Sequence, residues 1–522
     1  MNGGPGLKNK LNWLQILLGC FFCFAVIAPL LSMFLTIDAV HLKSVFSNKA
    51  FRSAAYNSVL YSCCSAFLSI LLGGLAAWCV NRSNIKLKKT YIAVLTLPML
   101  IPSISHGTGL VILLGANGIM TNLLGLQFNI YGGLGIILGS VMYSLPISFL
   151  MFYDILKYED ALPYDVAETL GINKFHQFKD LTLPYLRKPL ISIAFAVFTM
   201  IITDYGVPLM VGGHVKTLPV MMYEDVIGLL DFAKGSVIGA VLLIPAFIAF
   251  VVDYLNRSEA TASFIKTPFC IRKNKKRDLF SYLFLSVISV FVLLPLLTFA
   301  FLSFVTKYPL DLSFSVNHVQ RTIEMGGLHY LSNSLLIAFA AAGVGTMGAF
   351  STAYLSARAK TKSSYFLHLM SITSLAIPGI VLGLSYVLFF NGSWIYGTLA
   401  ILIMVNMVHF FASPYLMMYN TLNKMNRNLE DVGMILGVTR LNLIIHVIIP
   451  QVIPTLKKMA VYLFVNSMMT ISAVSFLSNV SNKPIALMIT QFEAIMMLEC
   501  TAVVSLLILG INTLIQFAVM RE

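Results

Sequence analysis

Charged side chains are scarce in this sequence. Asp, Glu, Lys and Arg together make up 11% of its 522 residues, whereas hydrophobic residues make up 58%. A soluble domain carries roughly a quarter charged residues, so this composition excludes a water-soluble globular protein. Acidic residues are the rarer charged type, with 21 Asp and Glu against 35 Lys and Arg.

Motifs that would indicate enzyme chemistry are also missing. The sequence contains no G-x-x-x-x-G-K-[ST] run, so the chain has no phosphate-binding loop of that type for ATP. It contains no H-E-x-x-H run and no G-x-S-x-G run either. We therefore expect a protein that is not an enzyme, with no catalytic residue and no cofactor bound by this chain.

The seven cysteines do not follow the spacing of a metal site, because no double C-x-x-C occurs. Six of them lie in apolar stretches, and Cys270 lies in a predicted inner loop. Cys63 and Cys64 point to different faces of one predicted helix. We predict that the cysteines are buried small residues, with no disulfide and no metal site.

Apolar stretches of about twenty residues recur along the chain, and each is long enough to cross about 30 Å of hydrocarbon as a helix. Helices are the expected form because lipid offers no partner for an unpaired backbone group, and the alternation of a β-barrel is absent. We predict twelve spans near residues 11–36, 54–80, 91–115, 131–153, 190–211, 236–255, 280–305, 331–356, 364–390, 395–420, 456–478 and 497–519.

The distribution of basic residues indicates the orientation. The first apolar stretch is too long for a secretory signal and has no small-residue cleavage site, so we predict that it is a retained helix. With an internal N-terminus, the predicted inner segments contain most of the 35 Lys and Arg residues, which places both termini in the cytoplasm. The net charge of +14 is therefore a topology signal, and we expect no nucleic-acid partner.

The chain repeats itself. A shift of 276 residues places Asn57-Ser58 on Asn333-Ser334, Arg82 on Arg358, Pro102 on Pro378 and Gly107 on Gly383. In other blocks a shift of 266 residues places Pro29 on Pro295, Gly171 on Gly437 and Pro184 on Pro450. Each half has an even number of predicted spans, so the two halves share one orientation and are related by an axis along the membrane normal.

The predicted fold class is an all-α membrane protein of about twelve transmembrane helices in two parallel six-helix repeats. The first half covers residues 1–256, a basic cytoplasmic linker covers residues 257–279, and the second half covers residues 280–522. The basic side chains of the linker anchor the topology or contact lipid headgroups. They are Arg272, Lys273, Lys275, Lys276 and Arg277.

An amphiphilic inner segment lies between the fourth and fifth spans of each half. It reads LPYDVAETLGINKFHQFKDLTLPYL in the first half and NLEDVGMILGVTRLNLIIHVIIPQV in the second. The first copy predicts a short helix over 162–170, and Gly171 suits the left-handed conformation that ends a helix. We expect a second short helix over 173–182, with Pro184 in the first turn of the next span. The resulting bent elbow fits both a docking surface for a partner and an interfacial helix among the headgroups.

The motif in these segments is similar to the EAA loop of ABC importer permeases, E-A-A-x-x-x-G-x9-I-x-L-P. The first copy has D-V-A-E-T-L-G and ends in L-T-L-P, and the second has D-V-G-M-I-L-G and ends in V-I-I-P. The resemblance covers nearly the whole chain, since span number, loop placement and repeat all agree. Two departures are Asp165 and Asp431 in place of Glu. A third is Gly433, where glycine weakens the helix by roughly 1 kcal/mol relative to alanine.

In that family the loop forms a coupling helix that sits in a groove of a cytoplasmic ATPase. The resemblance therefore implies a type I ABC importer permease whose partners are a cytoplasmic ABC ATPase dimer and an extracytoplasmic solute-binding protein. ATP and Mg²⁺ would bind in the partner ATPase, and the chain would lie in the lipid bilayer of the inner or plasma membrane. The implied coupling residues are Asp165, Ala167, Glu168, Gly171, Pro184, Asp431, Gly433, Gly437 and Pro450.

Polar groups inside spans are costly, so they are candidates for the translocation pathway. Asp204, in the run T-D-Y-G-V-P, either lines the pathway or caps a helix break at the hydrated interface. The remaining candidates are Asn57, Ser58, Asn333, Ser334 and His106. Packing hydrogen bonds would explain the two Asn-Ser pairs equally well. We expect only packing contacts from Asn406, His409, Asn466 and Ser472.

The fused arrangement resembles the ferric-iron, thiamine and 2-aminoethylphosphonate branch of importer permeases. The segments DYGVPLMVGG (204–213) and TISAVSFLS (470–478) look most like its iron and phosphonate members. The expected cargo is therefore ferric iron or an organophosphonate, ahead of thiamine, a polyamine or an inorganic anion. The alternative is a proton-coupled secondary transporter of the major facilitator type. The loop VNRSNIKLKKT argues against it, because it lacks the acid and the glycines of that family's G-x-x-x-D-R-x-G-R-R run.

Overall fold

The computed structural model describes residues 5–125, 129–256, 267, 269–271, 273–358, 362–426 and 428–520. Over these ranges the chain is almost entirely helical. Helices are what a membrane-embedded chain requires, because they satisfy each backbone group without a partner from lipid. The predicted class of all-α membrane protein is confirmed.

Fourteen helices form the described part of the first half. In chain order they are α1 (Pro5–Phe22), α2 (Ala28–Leu35), α3 (Ala39–Ser47), α4 (Lys49–Arg82), α5 (Lys88–Thr96), α6 (Ser103–Leu114), α7 (Ile119–Leu124), α8 (Gly133–Lys157), α9 (Leu162–Thr169), α10 (Lys174–Gln177), α11 (Leu183–Ile202), α12 (Gly206–Val211), α13 (Leu218–Tyr223) and α14 (Phe232–Asn256). Short π-helical stretches at Cys23–Ile27, Phe178–Thr182 and Glu224–Gly228, and a 3-10 turn at Leu97–Leu100, connect some of them.

Twelve helices form the described part of the second half. They are α15 (Lys275–Leu302), α16 (Asn317–Glu324), α17 (Gly327–Arg358), α18 (Lys362–Thr373), α19 (Gly379–Phe390), α20 (Leu399–His409), α21 (Ala412–Lys424), α22 (Asn428–Ile435), α23 (Arg440–Leu443), α24 (Ile449–Met469), α25 (Ala486–Ala494) and α26 (Leu498–Met520). A 3-10 turn at Ser374–Ala376 and a π-helical stretch at Ile444–Ile448 connect some of these helices.

A small antiparallel hairpin follows α15 and was not predicted. Its strands are β1 (Val305–Lys307) and β2 (Asp311–Phe314), with Val305 opposite Phe314 and Lys307 opposite Asp311. Seven residues in two short strands cannot span a bilayer, which needs about 9–11 residues per strand. The hairpin therefore belongs to the loop after the seventh span.

Ten helices of the described chain are long and apolar enough to cross a membrane, and two bent helix pairs bring the number to twelve. The single helices cover Trp13–Leu35, Lys49–Arg82, Ser103–Leu123, Gly133–Lys157, Lys174–Ile202, Phe232–Val252, Lys275–Leu302, Gly327–Arg358, Arg440–Met469 and Leu498–Val519. The bent pairs are Ser363–Ala376 with Gly379–Phe390 and Leu399–His409 with Ala412–Lys424. The predicted number of spans agrees with this count.

Several predicted spans are not straight helices. The prediction over 91–115 is wrong as a single helix, because the chain leaves the helix before Pro102 and starts α6 at Ser103. The equivalent span over 364–390 bends by 109° before Gly379, next to Pro378. Proline removes a backbone donor and disfavours helical geometry in the residue before it. The span over 395–420 bends by 49° between α20 and α21.

The fifth span of each half is shorter at its outer end than predicted. The prediction over 190–211 is wrong because α11 ends at Ile202, and the chain restarts as the short helix α12. The prediction over 456–478 is wrong in the same way, because α24 ends at Met469. Both helices begin earlier than predicted, at the inner segments that form the elbows.

The two halves are interlocked through their first spans. In the first half α2 packs on α19, and the Tyr386 hydroxyl donates to the Ala25 carbonyl oxygen at 2.7 Å. In the second half α15 packs on α5 and α6, and the Tyr282 hydroxyl accepts from the Lys86 N–H at 2.8 Å. One hydrophobic core cluster therefore contains residues of both halves. The division of the chain at residues 256 and 280 stays a prediction.

Two further predictions concern the linker and the cysteines. Residues 257–266, 268 and 272 lie outside the described residues, so the linker prediction stays a prediction. All seven cysteines are free, but only Cys79 and Cys500 are buried. The prediction that the cysteines are buried is wrong for the other five, because Cys20, Cys23, Cys63 and Cys64 lie on outward faces of apolar spans and Cys270 is exposed in the segment between the halves.

We expect the interlock to hold the halves together without a continuous linker. If the chain is cut between residues 262 and 263 and both pieces are co-expressed, the pieces should co-purify, because each first span packs on the opposite half. A first piece that starts at residue 37, without the first span, is the matched control and should recover less of the second piece. Equal recovery with and without that span would contradict the interlock.

Candidate functional site

Each inner segment forms a sharp elbow around a glycine. In the first elbow (residues 162–177), Gly171 has φ of 72° and follows α9. The Ile172 N–H donates back to the Ala167 carbonyl oxygen at 2.9 Å, which closes the helix end. The Asn173 side chain then accepts from the His176 N–H at 2.9 Å and starts the next helix.

The second elbow (residues 428–443) repeats this geometry. Gly437 has φ of 68°, and the Val438 N–H donates to the Gly433 carbonyl oxygen at 2.9 Å. The Thr439 hydroxyl caps the next helix by accepting from the Asn442 N–H at 3.3 Å. Both glycines therefore adopt the left-handed conformation that the sequence predicts.

The structure differs from the prediction in the segment that follows the glycine of the first elbow. Residues 173–182 are not a separate helix, because α10 continues through a π-helical stretch into α11. Pro184 follows that wide turn, in which the Leu183 N–H reaches back to the Phe178 carbonyl oxygen. A proline fits directly after such a turn because it has no N–H to place. Pro450 follows the equivalent stretch, Ile444–Ile448.

The elbows expose apolar side chains to solvent. Leu170 is 70% exposed and Leu436 is 71% exposed, and these two residues are equivalent under the shift of 266. Ala167 and Gly433, also equivalent, are buried against the protein's own chain. Other exposed apolar residues of the elbows are Leu162, Val166, Phe175, Val432, Met434, Ile435 and Leu441. Asp165, Glu168 and Asp431 are exposed beside them.

An arginine at the inner end of the second span is paired with a glutamate near each elbow. Arg82 forms an ion pair with Glu159, and both side chains are largely buried. Arg358 forms an ion pair with Glu430 at 3.3 Å, with both side chains again largely buried. Each elbow is therefore held to the second span as well as to the fifth.

The first ion pair has further partners. The Arg82 guanidinium lies 3.3 Å from the centroid of the Phe269 ring. The Tyr164 hydroxyl donates to Glu159, and burial, followed by this hydrogen bond, raises the pKa of the Tyr164 phenol. The Thr267 N–H donates to the Asp160 carboxylate at 3.0 Å. The described part of the linker thus packs on the first elbow.

The two Asn-Ser pairs hold the segment that follows the fifth span of each half. The Ser58 hydroxyl accepts from the Leu218 N–H at 2.7 Å, and the Ser334 hydroxyl accepts from the Ile485 N–H at 2.7 Å. The Asn57 amide donates to the Lys216 carbonyl oxygen at 3.1 Å. These positions do not line the cavity between the halves.

The Asn333 amide makes the bond equivalent to that of Asn57, because it donates to the Ser481 carbonyl oxygen at 3.0 Å. Packing bonds thus account for both Asn-Ser pairs, and we do not carry them forward as pathway residues. His106 is buried behind the cavity wall, with its ring edge-on to Tyr143 at 5.7 Å between centroids. It does not line the cavity either.

A cavity of about 650 Å³ lies between the two halves. Its wall comes from the fourth, fifth and sixth spans of the first half and from the third, fourth and fifth spans of the second. It runs from the helix breaks at Asp204 and Pro378 towards Met151 and Leu416, on the side where the elbows lie. Asp204 faces this cavity and also caps α12 by accepting from the Val207 N–H at 3.0 Å. Asp204 thus caps a helix break and faces a cavity, and its place in the translocation pathway stays a prediction.

The cavity wall contains polar residues that the sequence did not identify as pathway residues. Tyr143 and Tyr462 were not singled out, and His409, Asn466 and Ser472 were predicted to make packing contacts only. These last three face the cavity, and the Asn466 amide also makes a packing bond by donating to the Tyr462 carbonyl oxygen at 2.8 Å. The available signal was the repeat, because the shift of 266 places Tyr143 on His409, and both of these residues line the cavity. Asn406 is buried and donates to the Leu402 carbonyl oxygen, as a packing residue does.

Twelve spans in two interlocked halves, a polar cavity between them and a pair of matching elbows define the membrane subunit of a transporter. The chain belongs to the family of binding-protein-dependent transport system inner membrane components, which it matches over residues 69–258 and again over 345–520. The two matches correspond to the two halves of the repeat. The protein is thus an ABC importer permease for a small solute, with two fused halves.

Relatives of this chain include permeases named for metal transport. It is 27% identical over 403 residues to the ferric transport system permease protein FbpB of Actinobacillus pleuropneumoniae, which covers 73% of this chain and 58% of that protein. It is 23% identical over 507 residues to a ferric transport system permease protein FbpB 1 of Haemophilus influenzae, covering 91% and 79% respectively. A molybdenum transport system permease protein ModB of Azotobacter vinelandii is 26% identical but covers only 36% of this chain.

We expect Arg82→Ala to destabilise the protein strongly, because it leaves Glu159 buried without its cation. Breaking one side of a buried ion pair costs about 3–5 kcal/mol. The control is Lys216→Ala, which breaks an exposed pair with Glu224 and should cost about 0–1 kcal/mol. Thermal unfolding of the purified chain in detergent measures both, and equal effects of the two changes would contradict the structural role of Arg82.

Adding a methyl group at Gly433 should stabilise the second elbow. A Cβ there would meet the Leu443 side chain at 3.4 Å, an ordinary van der Waals contact, and the equivalent first-half residue is Ala167. Alanine favours a helix over glycine by roughly 1 kcal/mol. Gly433→Ala should therefore slow amide hydrogen exchange across α22. Faster exchange would show that the second elbow needs glycine for another reason.

Proposed function

We propose that this chain is the pore-forming subunit of an ATP-driven, binding-protein-dependent importer of ferric iron, with one chain supplying both membrane halves. The observation that carries the proposal is the pair of elbows. They share one backbone geometry, and both expose apolar side chains at equivalent positions. Exposed apolar patches of this kind mark sites of protein contact. A matched pair suits a partner that is itself a dimer.

The partner is a cytoplasmic ABC ATPase dimer, with one subunit on each elbow. This sequence has no phosphate-binding loop of the Walker type, so ATP and Mg²⁺ belong to that partner. The acidic residues Asp165, Glu168 and Asp431 lie at the rim of the apolar surface, where they steer and orient docking. Gly171 and Gly437 set the angle at which each short helix is presented.

Force reaches the cavity along the fifth spans. The first elbow continues without interruption into α11, whose outer part contributes Thr199 and Met200 to the cavity wall. The second elbow continues into α24, which contributes Tyr462 and Asn466. When the ATPase subunits close, both helices move, and the wall of the cavity moves with them. The ion pairs at Arg82 and Arg358 carry the same movement to the second spans.

We infer the cargo from how much of this chain aligns with relatives whose cargo is named. The relatives named for ferric transport align with 73% and 91% of this chain, whereas the molybdenum relative aligns with 36%. Ferric iron is therefore favoured over an organophosphonate, thiamine or an inorganic anion. An extracytoplasmic solute-binding protein delivers the iron, and both termini face the cytoplasm. Membership of the permease family argues against the major facilitator alternative.

The test is iron uptake by the complete system in proteoliposomes, with radioactive ferric citrate, the ATPase and the binding protein. We expect uptake that requires both proteins and ATP hydrolysis. Uptake of molybdate or a phosphonate instead of iron would overturn the cargo. Full uptake without the ATPase would overturn the class of mechanism.

Replacing the two elbow glycines should uncouple the importer. Nothing lies within 4 Å of a Cβ placed at Gly171 or Gly437, so a side chain there acts only through the backbone. A β-branched residue resists the left-handed conformation by about 1–2 kcal/mol. The double variant Gly171→Val with Gly437→Val should lose cargo-stimulated ATP hydrolysis and uptake. The matched control uses Asn at both positions, since Asn tolerates this conformation, and full transport by the Val variant would contradict the coupling role.

A further inference from the structure

The cavity between the halves has a one-sided charge character. Among the residues that line it, Asp204 is the one carboxylate, and none is Lys or Arg. Two phenols, Tyr143 and Tyr462, and one imidazole, His409, share the wall with it. In a pathway of low dielectric, a carboxylate without a basic partner favours cations and repels anions.

Three oxygen-bearing side chains share this wall. Tyr143, Asp204 and Tyr462 all line the same cavity of about 650 Å³. Tyr143 comes from the fourth span of the first half, Asp204 from the break after its fifth span, and Tyr462 from the fifth span of the second half. The three side chains therefore reach one cavity from three elements and from both halves.

Asp204 is held in place while it faces the cavity. The Val207 N–H donates to one carboxylate oxygen at 3.0 Å, and the Ser103 hydroxyl also bonds to the side chain. A carboxylate has about four acceptor positions, so these bonds leave some of them for a ligand. A ligand that binds Asp204 thus binds a carboxylate whose orientation is already fixed by hydrogen bonds.

We propose that Asp204, Tyr143 and Tyr462 form a transit site that binds the ferric ion directly by oxygen during translocation. The proposal rests on the proposed function and deepens it. Carboxylate and phenolate oxygens are hard ligands, and Fe³⁺ is a hard cation that prefers them. Each phenol that binds loses its proton to water as the oxygen–iron bond forms and a bound water leaves. No electron is transferred.

The site is suited to transient occupancy. Three protein oxygens leave positions around a six-coordinate ion for water, so the ion is held without being enclosed. The two tyrosines belong to different halves, and Tyr462 lies on the helix that continues from the second elbow. Movement of that elbow separates the phenol ligands, which weakens the site and releases the ion. His409 lies on the same cavity wall and provides a further contact for the ion during translocation.

The first measurement is the visible absorption of the complete permease–ATPase complex in nanodiscs with ferric nitrilotriacetate as the probe. Tyrosinate bound to Fe(III) gives a charge-transfer band that carboxylates and water do not give. We expect the band with the natural chain and its loss in the double variant Tyr143→Phe with Tyr462→Phe. The matched control is Tyr153→Phe, which lies on α8 with Tyr143 but outside the cavity wall. An unchanged band in the double variant would overturn the site.

The second measurement is iron uptake by the reconstituted importer. Asp204→Asn should lower the rate at least about tenfold, since it removes the charge that attracts the cation. Asp154→Asn, an exposed residue of α8, is the control and should transport normally. Normal iron uptake by Asp204→Asn and by the tyrosine double variant would overturn the transit site and leave the proposed function standing. A natural chain that moves no iron would overturn both, and competition by spermidine in place of iron would assign the cavity to organic cations instead.

Discussion

Lipid cannot form hydrogen bonds with the peptide backbone, and the rest of this structure depends on that constraint. A span can be interrupted only where protein or a water-filled cavity satisfies the freed groups. Helices are interrupted before Ser103, after Ile202, before Gly379 and after His409. Several of these breaks provide lining residues of the cavity, including Thr203, Pro378 and Phe410. The helices are thus interrupted at places where their residues line the cavity.

The interlock of the halves explains how one polypeptide can behave as a single transport unit. Each first span packs on the opposite half, and one core cluster runs through both. In the proposed mechanism the moving parts are the helices that connect elbow and cavity, rather than two independent bundles. The fifth spans are continuous from the elbows to the cavity wall, so we expect a displacement of an elbow to move that wall. The ion pairs at Arg82 and Arg358 add a second connection at the same ends.

The sequence predicted the features that depend on local chemistry. The number of spans follows from runs of apolar residues, and the left-handed elbows follow from glycines at a fixed distance from an acidic residue. It failed where tertiary packing decides. Pro102 and Pro378 were visible, but a proline in an apolar run can kink a helix or end it, and the surroundings choose. Tyr143 and Tyr462 look the same in sequence whether they face lipid, a helix or a cavity. Only the assembled wall around Asp204 distinguishes these cases.

The repeat contained more information about the site than the individual residues did. Under one shift, Tyr143 corresponds to His409, and Asp204 corresponds to Thr470. Tyr143 and His409 both line the cavity between the halves, whereas Thr470 is buried outside its lining. The halves nevertheless differ in charge, since the carboxylate is present only in the first. This asymmetry is available to a fused chain, because each half can change independently.

The central claim is that both elbows move together when the partner ATPase binds nucleotide. The direct measurement is the distance between spin labels at Thr169 and Ile435, two exposed and equivalent positions beside the elbow glycines, in a chain whose native cysteines have been replaced. We predict that the distance shortens when a non-hydrolysable ATP analogue binds to the assembled complex. A distance that stays constant while the ATPase subunits close would contradict the account.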